Sequence, residues 1–162
     1  MKIARALFAA GCFWGVQYYF DQVPGVIKTT AGYTGGHTEN PTYDQVVMHR
    51  TGHAEALLIE YDTTKMDYRV LVKHFFRMHD PTQLNRQGPD VGDDYRTAIF
   101  YFDDGQKKIA EKVRDEMQNH TEKPIVTEIT RAGSFYEAEE YHQKYSERTG
   151  IGMCHIPYEP IM

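Results

Sequence analysis

The sequence predicts one domain in which helices cover a β-sheet, of the α/β or α+β class, and three observations lead there. Stretches with strand-like and helix-like apolar spacing alternate along the chain. The 162 residues, 41% apolar and 25% charged, are enough for one core and contain no linker, repeat or low-complexity tract that would divide them. Glycine and proline fall at the boundaries of these stretches, as at Gly11, Gly25 and Pro81.

Residues 2 to 10 alternate loosely and read as a first strand rather than a secretion signal. Gly11 breaks that pattern, and Phe13, Val16 and Phe20 then recur at helical spacing, which places Cys12 at a helix N-terminus. Gly25 to Tyr33 reads as a second strand, followed by a polar loop through His37, Asn40 and Pro41. A third strand spans 53 to 61 and carries Glu55. Tyr68, Leu71, Val72, Phe75, Phe76 and Met78 mark a helix over about 67 to 79 that Pro81 ends. The polar stretch 81 to 94 is long for a connection in a compact domain and so points to function. Beyond it the pattern predicts a strand over 95 to 102, a helix from Asp103 to about Asn119, a short strand over 125 to 130, and a last helix from Glu137 to about Glu147. From Thr149 onward periodicity ceases, and Gly150 and Gly152 precede Cys154 in what reads as a mobile tail.

A formal charge of −5 and the absence of any Lys/Arg run longer than two residues argue against a protein that holds nucleic acid through its phosphates without regard to sequence. Two cysteines are too few for a disulfide scaffold, so any bridge is expected to be transient and the setting cytoplasmic. Eight histidines raise a metal question. His49 and His53 straddle a Thr-Gly strand entry, where helical i, i+4 spacing brings nothing together, and no metal is expected.

Cys12 is the candidate nucleophile. A thiolate is favoured by the unpaired N–H groups of a helix N-terminus, and Gly11 and Gly15 let backbone and substrate come close. Taken alone, Cys12 could equally be a small buried apolar residue.

The setting Gly11-Cys12-Phe13-Trp14-Gly15 resembles the signature of the A-type peptide methionine sulfoxide reductases. Further strings match in order: 32–43 from Gly-Tyr-Thr-Gly-Gly to Thr-Tyr, Thr51-Gly52-His53-Ala54-Glu55, His79-Asp80-Pro81-Thr82-Gln83, 86–92, Tyr95-Arg96 and Tyr141-His142-Gln143-Lys144-Tyr145. The resemblance covers almost the whole chain. It implies an α+β, two-layer α/β sandwich with a central mixed sheet, a ferredoxin-like core, and one catalytic domain over 1–162 whose tail, 148–162, carries the resolving cysteine.

The activity it implies is reduction of methionine-S-sulfoxide, free or in peptides and proteins, as repair of oxidative damage. Cys12 would attack the sulfur while Glu55, its pKa raised by burial, gives a proton to the oxygen. Tyr43 and Tyr95 would donate hydrogen bonds to that oxygen, Asp90 would order the pocket, and Phe13 and Trp14 would receive the ε-methyl group. Cys154 would condense with the Cys12 sulfenic acid into a disulfide that thioredoxin reduces. Where relatives commonly read Asn-Pro-x-Gly-Tyr-Cys, this chain has Arg148 to Cys154 without that pattern, which leaves the tail's path open. No bound cofactor, membrane or nucleic-acid partner is implied, and a monomer is expected. Two readings from other classes compete: a peroxide sensor that uses the two cysteines without an acid, and a non-catalytic peptide-binding module.

Overall fold

The structure, a computed structural model, describes residues 2–152 and 157–161. A mixed six-stranded sheet forms its centre. Strand β1 (Ile3–Ala10) leads into helix α1 (Phe13–Phe20), β2 (Val26–Thr34), α2 (Tyr43–Val47), β3 (Ala54–Asp62) and α3 (Tyr68–Arg77). A two-stranded hairpin of β4 (Arg86–Gln87) and β5 (Asp90–Val91) and a 3-10 turn (Asp93–Tyr95) follow. The chain continues through β6 (Thr97–Tyr101), α4 (Asp104–Gln118), β7 (Glu128–Arg131), β8 (Phe135–Glu137), a 3-10 turn (Glu140–His142) and α5 (Tyr145–Thr149). Spatially the strands run β7-β6-β1-β3-β2-β8, antiparallel throughout except for the parallel β6–β7 pair.

Alternation along the strands assigns each side chain to a face. Ala6, Phe8 and Ala10 of β1 and Leu57, Ile59 and Tyr61 of β3 meet Val16, Tyr19 and Phe20 of α1, Leu71, Val72 and Phe75 of α3, and Ala110 and Val113 of α4 in the main core. The opposite face carries smaller residues, with Leu7, Ala9, Ala54, Ala56, Ala98 and Phe100 packed together. Glu55 shares the parity of Leu57 and Ile59, so β3 aims a carboxyl group at the helix layer.

Three expectations need correction. The stretch 81–94 contains the small hairpin, which Gly88 turns at φ 56°, and is not structureless. The polar loop after Pro41 contains α2, which Thr42 starts by accepting from the Gln45 amide while the Gln45 side chain accepts from the Thr42 amide. The expected helix 137–147 is absent as such. Ala138 N–H donates to Ala31 O at the sheet edge, and Lys144 takes a left-handed conformation (φ 59°), so only Tyr145–Thr149 is α-helical there. Cys154 lies outside the described residues, while 148–152 and 157–161 of the expected tail lie within them. Among the described residues no helix is long and apolar enough to cross a membrane.

Candidate active site

The site begins where β1 hands over to α1. Gly11 turns the chain at φ 95°, and a Cβ there would sit 2.9 Å from Gln87 Cβ, so only glycine lets the 86–91 hairpin close against this corner. Cys12 follows as the residue capping α1. The amides of Trp14 and Gly15 favour its thiolate, as the helix N-terminus led us to expect, but they do not prevail. Burial, then the charge of Glu55, holds the Cys12 thiol well above the ordinary thiol range, so the resting group is a thiol.

Glu55 is 1% exposed. Its Oε1 accepts from Phe13 N–H at 3.1 Å, while Oε2 meets no donor. Burial lifts its pKa to about 8; the Phe13 amide pulls the other way, and the nearby charges of Asp94 and Asp90 add to the rise. At neutral pH this carboxyl group therefore keeps its proton.

Tyr43 starts α2 and donates its backbone N–H to Glu139 Oε2 at 3.0 Å. Tyr95 closes the 3-10 turn that follows the hairpin. Burial and then the Glu55 charge raise both hydroxyls, Tyr43 to about 12 and Tyr95 further, and both also respond to Cys12. Asp90, on the hairpin, acts on Cys12 and Glu55 in the same way. Glu55, Asp90, Tyr43 and Tyr95 thus each lie within electrostatic reach of Cys12, although the five come from separate elements. Beside them opens a cleft of about 530 Å³ lined by Cys12, Trp14, Gln83, Gln87, Asp90 and Gly152, among others.

Phe13 is buried, its ring against Tyr33 and His142 at centroid distances of 5.6 and 5.1 Å. Trp14 stacks on Tyr145 at 3.9 Å and donates from Nε1 to His142 Nδ1 at 2.9 Å. Glu139 ties the arrangement to the sheet by accepting from Tyr33 OH at 2.8 Å as well as from Tyr43 N–H. Gly152 lies against the Trp14 ring, where a Cβ would come within 2.9 Å of Cε3.

The roles of Glu139, His142 and Tyr145 were not assigned from the sequence. His142 and Tyr145 stand in one of the matched strings, and that was the available signal; Glu139 carried none. His53 anchors the loop that follows β2: its Nδ1 accepts from Gly36 N–H at 3.0 Å and its Nε2 lies 2.7 Å from Thr38 O.

A family model described as peptide methionine sulfoxide reductase matches residues 4–162. The chain belongs to that family. The peptide methionine sulfoxide reductase MsrA of Clostridium acetobutylicum is 46% identical over 155 residues, which is 96% of each protein. The reduced form of Mxr1 from Saccharomyces cerevisiae superposes with a TM-score of 0.91 at 33% identity, covering 97% of this chain and 92% of that one. The same yeast protein in complex with Trx2 matches at a TM-score of 0.67 and 25% identity, over 97% and 91% of the two chains.

Proposed function

We propose that the chain reduces methionine sulfoxide of the S configuration, in peptides and proteins, to methionine. The observation that carries this reading is the buried, protonated Glu55 beside the Cys12 thiol, because a sulfoxide sulfur becomes electrophilic only when its oxygen is protonated or strongly hydrogen-bonded. Glu55 gives its proton to the oxygen and takes up the thiol proton as Cys12 attacks, so that no net charge enters the pocket. Tyr43 and Tyr95, both kept as hydroxyls, donate hydrogen bonds to that oxygen. Phe13 and Trp14 give the ε-methyl group an apolar wall, and Asp90 orders the cleft around the thiol.

The oxygen passes to Cys12 as a sulfenic acid while methionine keeps the electron pair of the cleaved bond. The Cys154 thiol then displaces the hydroxyl as water and forms a disulfide. Gly152, seated on the Trp14 ring, supports this step by bringing the chain two residues before Cys154 to the catalytic corner. Thioredoxin reduces the disulfide by thiol exchange, a reading supported by the complex of the yeast neighbour with Trx2. No bound cofactor enters any step. A cytoplasmic protein that repairs oxidised methionine, acting as a monomeric single domain over 1–162 with the tail 148–162, fits this chemistry. The order β6-β1-β3-β2 of four antiparallel strands supports a ferredoxin-like core.

A single-turnover experiment tests the mechanism. Reduced protein given a methionine-S-sulfoxide peptide without reductant should yield about one methionine per chain and a Cys12–Cys154 disulfide. Two free thiols remaining after product has formed would reject the role of Cys154, and equal turnover of the R epimer would reject the substrate assignment.

A further inference from the structure

At the 3-10 turn that ends in Tyr95, three donors meet to which the proposed reaction assigns no direct role. His49 Nδ1 lies 2.9 Å from Asp94 Oδ1 and 3.4 Å from Asp93 Oδ1, and the three ligand atoms all fall within 4.8 Å of one another. Asp94 distinguishes this group from an ordinary exposed acidic pair. It is fully buried, and although His49 Nδ1 lies close to its Oδ1, neither carboxylate oxygen makes a hydrogen bond of good geometry among the described residues. A sealed carboxylate left unsatisfied is costly unless a cation completes it.

The backbone is bent to build this corner. His49 is held in the left-handed region at φ 62°, which a residue with a side chain adopts at a cost. Gly92, at φ 146°, leaves the space in which the two donors meet, since a Cβ there would fall 2.4 Å from His49 Cε1 and 2.5 Å from Asp94 Oδ1. The contacts also have the dimensions of a coordination shell. With metal–ligand bonds of about 2.0–2.1 Å, neighbouring ligands of a tetrahedral ion stand about 3.3 Å apart, between the two N–O separations found here. Other histidines are already engaged: His53 holds the 36–38 loop, His74 Nδ1 lies 2.7 Å from Tyr19 OH, and His79 contacts Phe75 O and Thr97 Oγ1.

We infer that His49, Asp93 and Asp94 form a binding site for one divalent transition ion of the zinc type, with water completing the shell. One imidazole and two carboxylates in a small, low-coordinate corner suit Zn²⁺ or Co²⁺; Ca²⁺ and Mg²⁺ prefer six or more oxygen ligands. The spacing of His49 and His53 is irrelevant to it, because the two aspartates come from the loop after the hairpin and only the fold brings them to His49.

The full chain carrying Cys12→Ser and Cys154→Ser removes thiol ligands from the measurement. Titrated with ZnCl2 in a calorimeter, and with CoCl2 by visible absorption, it should bind one ion per chain with a tetrahedral cobalt spectrum that millimolar Mg²⁺ and Ca²⁺ leave unchanged. His49→Gly in that background keeps the left-handed backbone without strain and should weaken binding at least about tenfold. Asp94→Asn should do the same. The metal-free melting temperature of the His49→Gly protein, equal to or above its parent's, shows that it is folded. Absence of Zn²⁺ binding in the parent, or binding unchanged by His49→Gly, overturns the assignment.

Discussion

The two walls around the Cys12 corner are held by different means. On one side, Cys12 and Glu55 sit at the ends of regular elements, joined by a single amide contact from Phe13. On the other, Trp14 is gripped by His142 and Tyr145, which come from a 3-10 turn and a short helix near the end of the chain, and Glu139 pins Tyr43 and Tyr33 from the same segment. The first wall owes its shape to backbone ladders, the second mainly to bonds and ring contacts made by side chains. The difference suggests a division of labour in which the ladder-built wall carries the chemistry and the other carries recognition.

Replacing the acid should separate these functions most sharply. For Glu55→Gln we expect kcat to fall by about 10²–10⁴ while binding of a sulfoxide peptide persists. The wild type should lose activity as pH rises through about 8, where the carboxyl group gives up its proton, and the variant should lack that limb. Oxidation of Cys12 by peroxide should stay near the wild-type rate in the variant. A parallel loss of both reactions would argue for a general defect rather than the loss of an acid.

The same substitution should also appear in stability. Glu55 titrates near 8 when folded and near 4.5 when unfolded, so its burial costs nothing extra below 4.5, an increasing amount between 4.5 and 8, and a constant amount above. Glu55→Gln should therefore become the more stable protein at alkaline pH, by on the order of a few kcal/mol. Urea unfolding at pH 5 and pH 9 checks the sign; a variant less stable at pH 9 would contradict it.

Tyr95→Phe and Tyr43→Phe should each lower kcat by about ten- to a hundredfold, with the peptide KM little changed. On the opposite wall, His142→Ala leaves the Trp14 indole N–H without its acceptor and should raise KM severalfold while sparing kcat. Steady-state kinetics on one peptide series would compare all three. If His142→Ala acted on kcat instead, the division between the walls would fail.

This division also explains what the sequence disclosed. Tyr68 through Phe76 repeat at the helical period because α3 has one buried side, and that regularity is visible in a string of letters; α1 is buried on nearly all sides, and its Phe13, Val16 and Phe20 mark only part of that surface. Glu55 could be placed on a strand, and the parity that turns it toward α1 follows from the same alternation. The segment 137–152 has no such period. Its conformation answers to distant partners, such as Gln143 bonding the Ala31 backbone and Lys144 bonding Asp21, so a helix was read where a strand, a turn and a short helix stand. The state of the Cys12 thiol was misjudged for a related reason. A helix N-terminus is a local feature, whereas the burial and the Glu55 charge that outweigh it come from tertiary packing.

The bond between Trp14 and His142 spans 128 residues, and it sets an order of events during synthesis. The thiol leaves the ribosome first, and the ring that braces its neighbouring indole follows roughly ten seconds later at ordinary elongation rates. Until then a nascent chain carries Cys12 without a finished methionine pocket. A chain truncated before His142 would therefore lack the brace on the Trp14 indole.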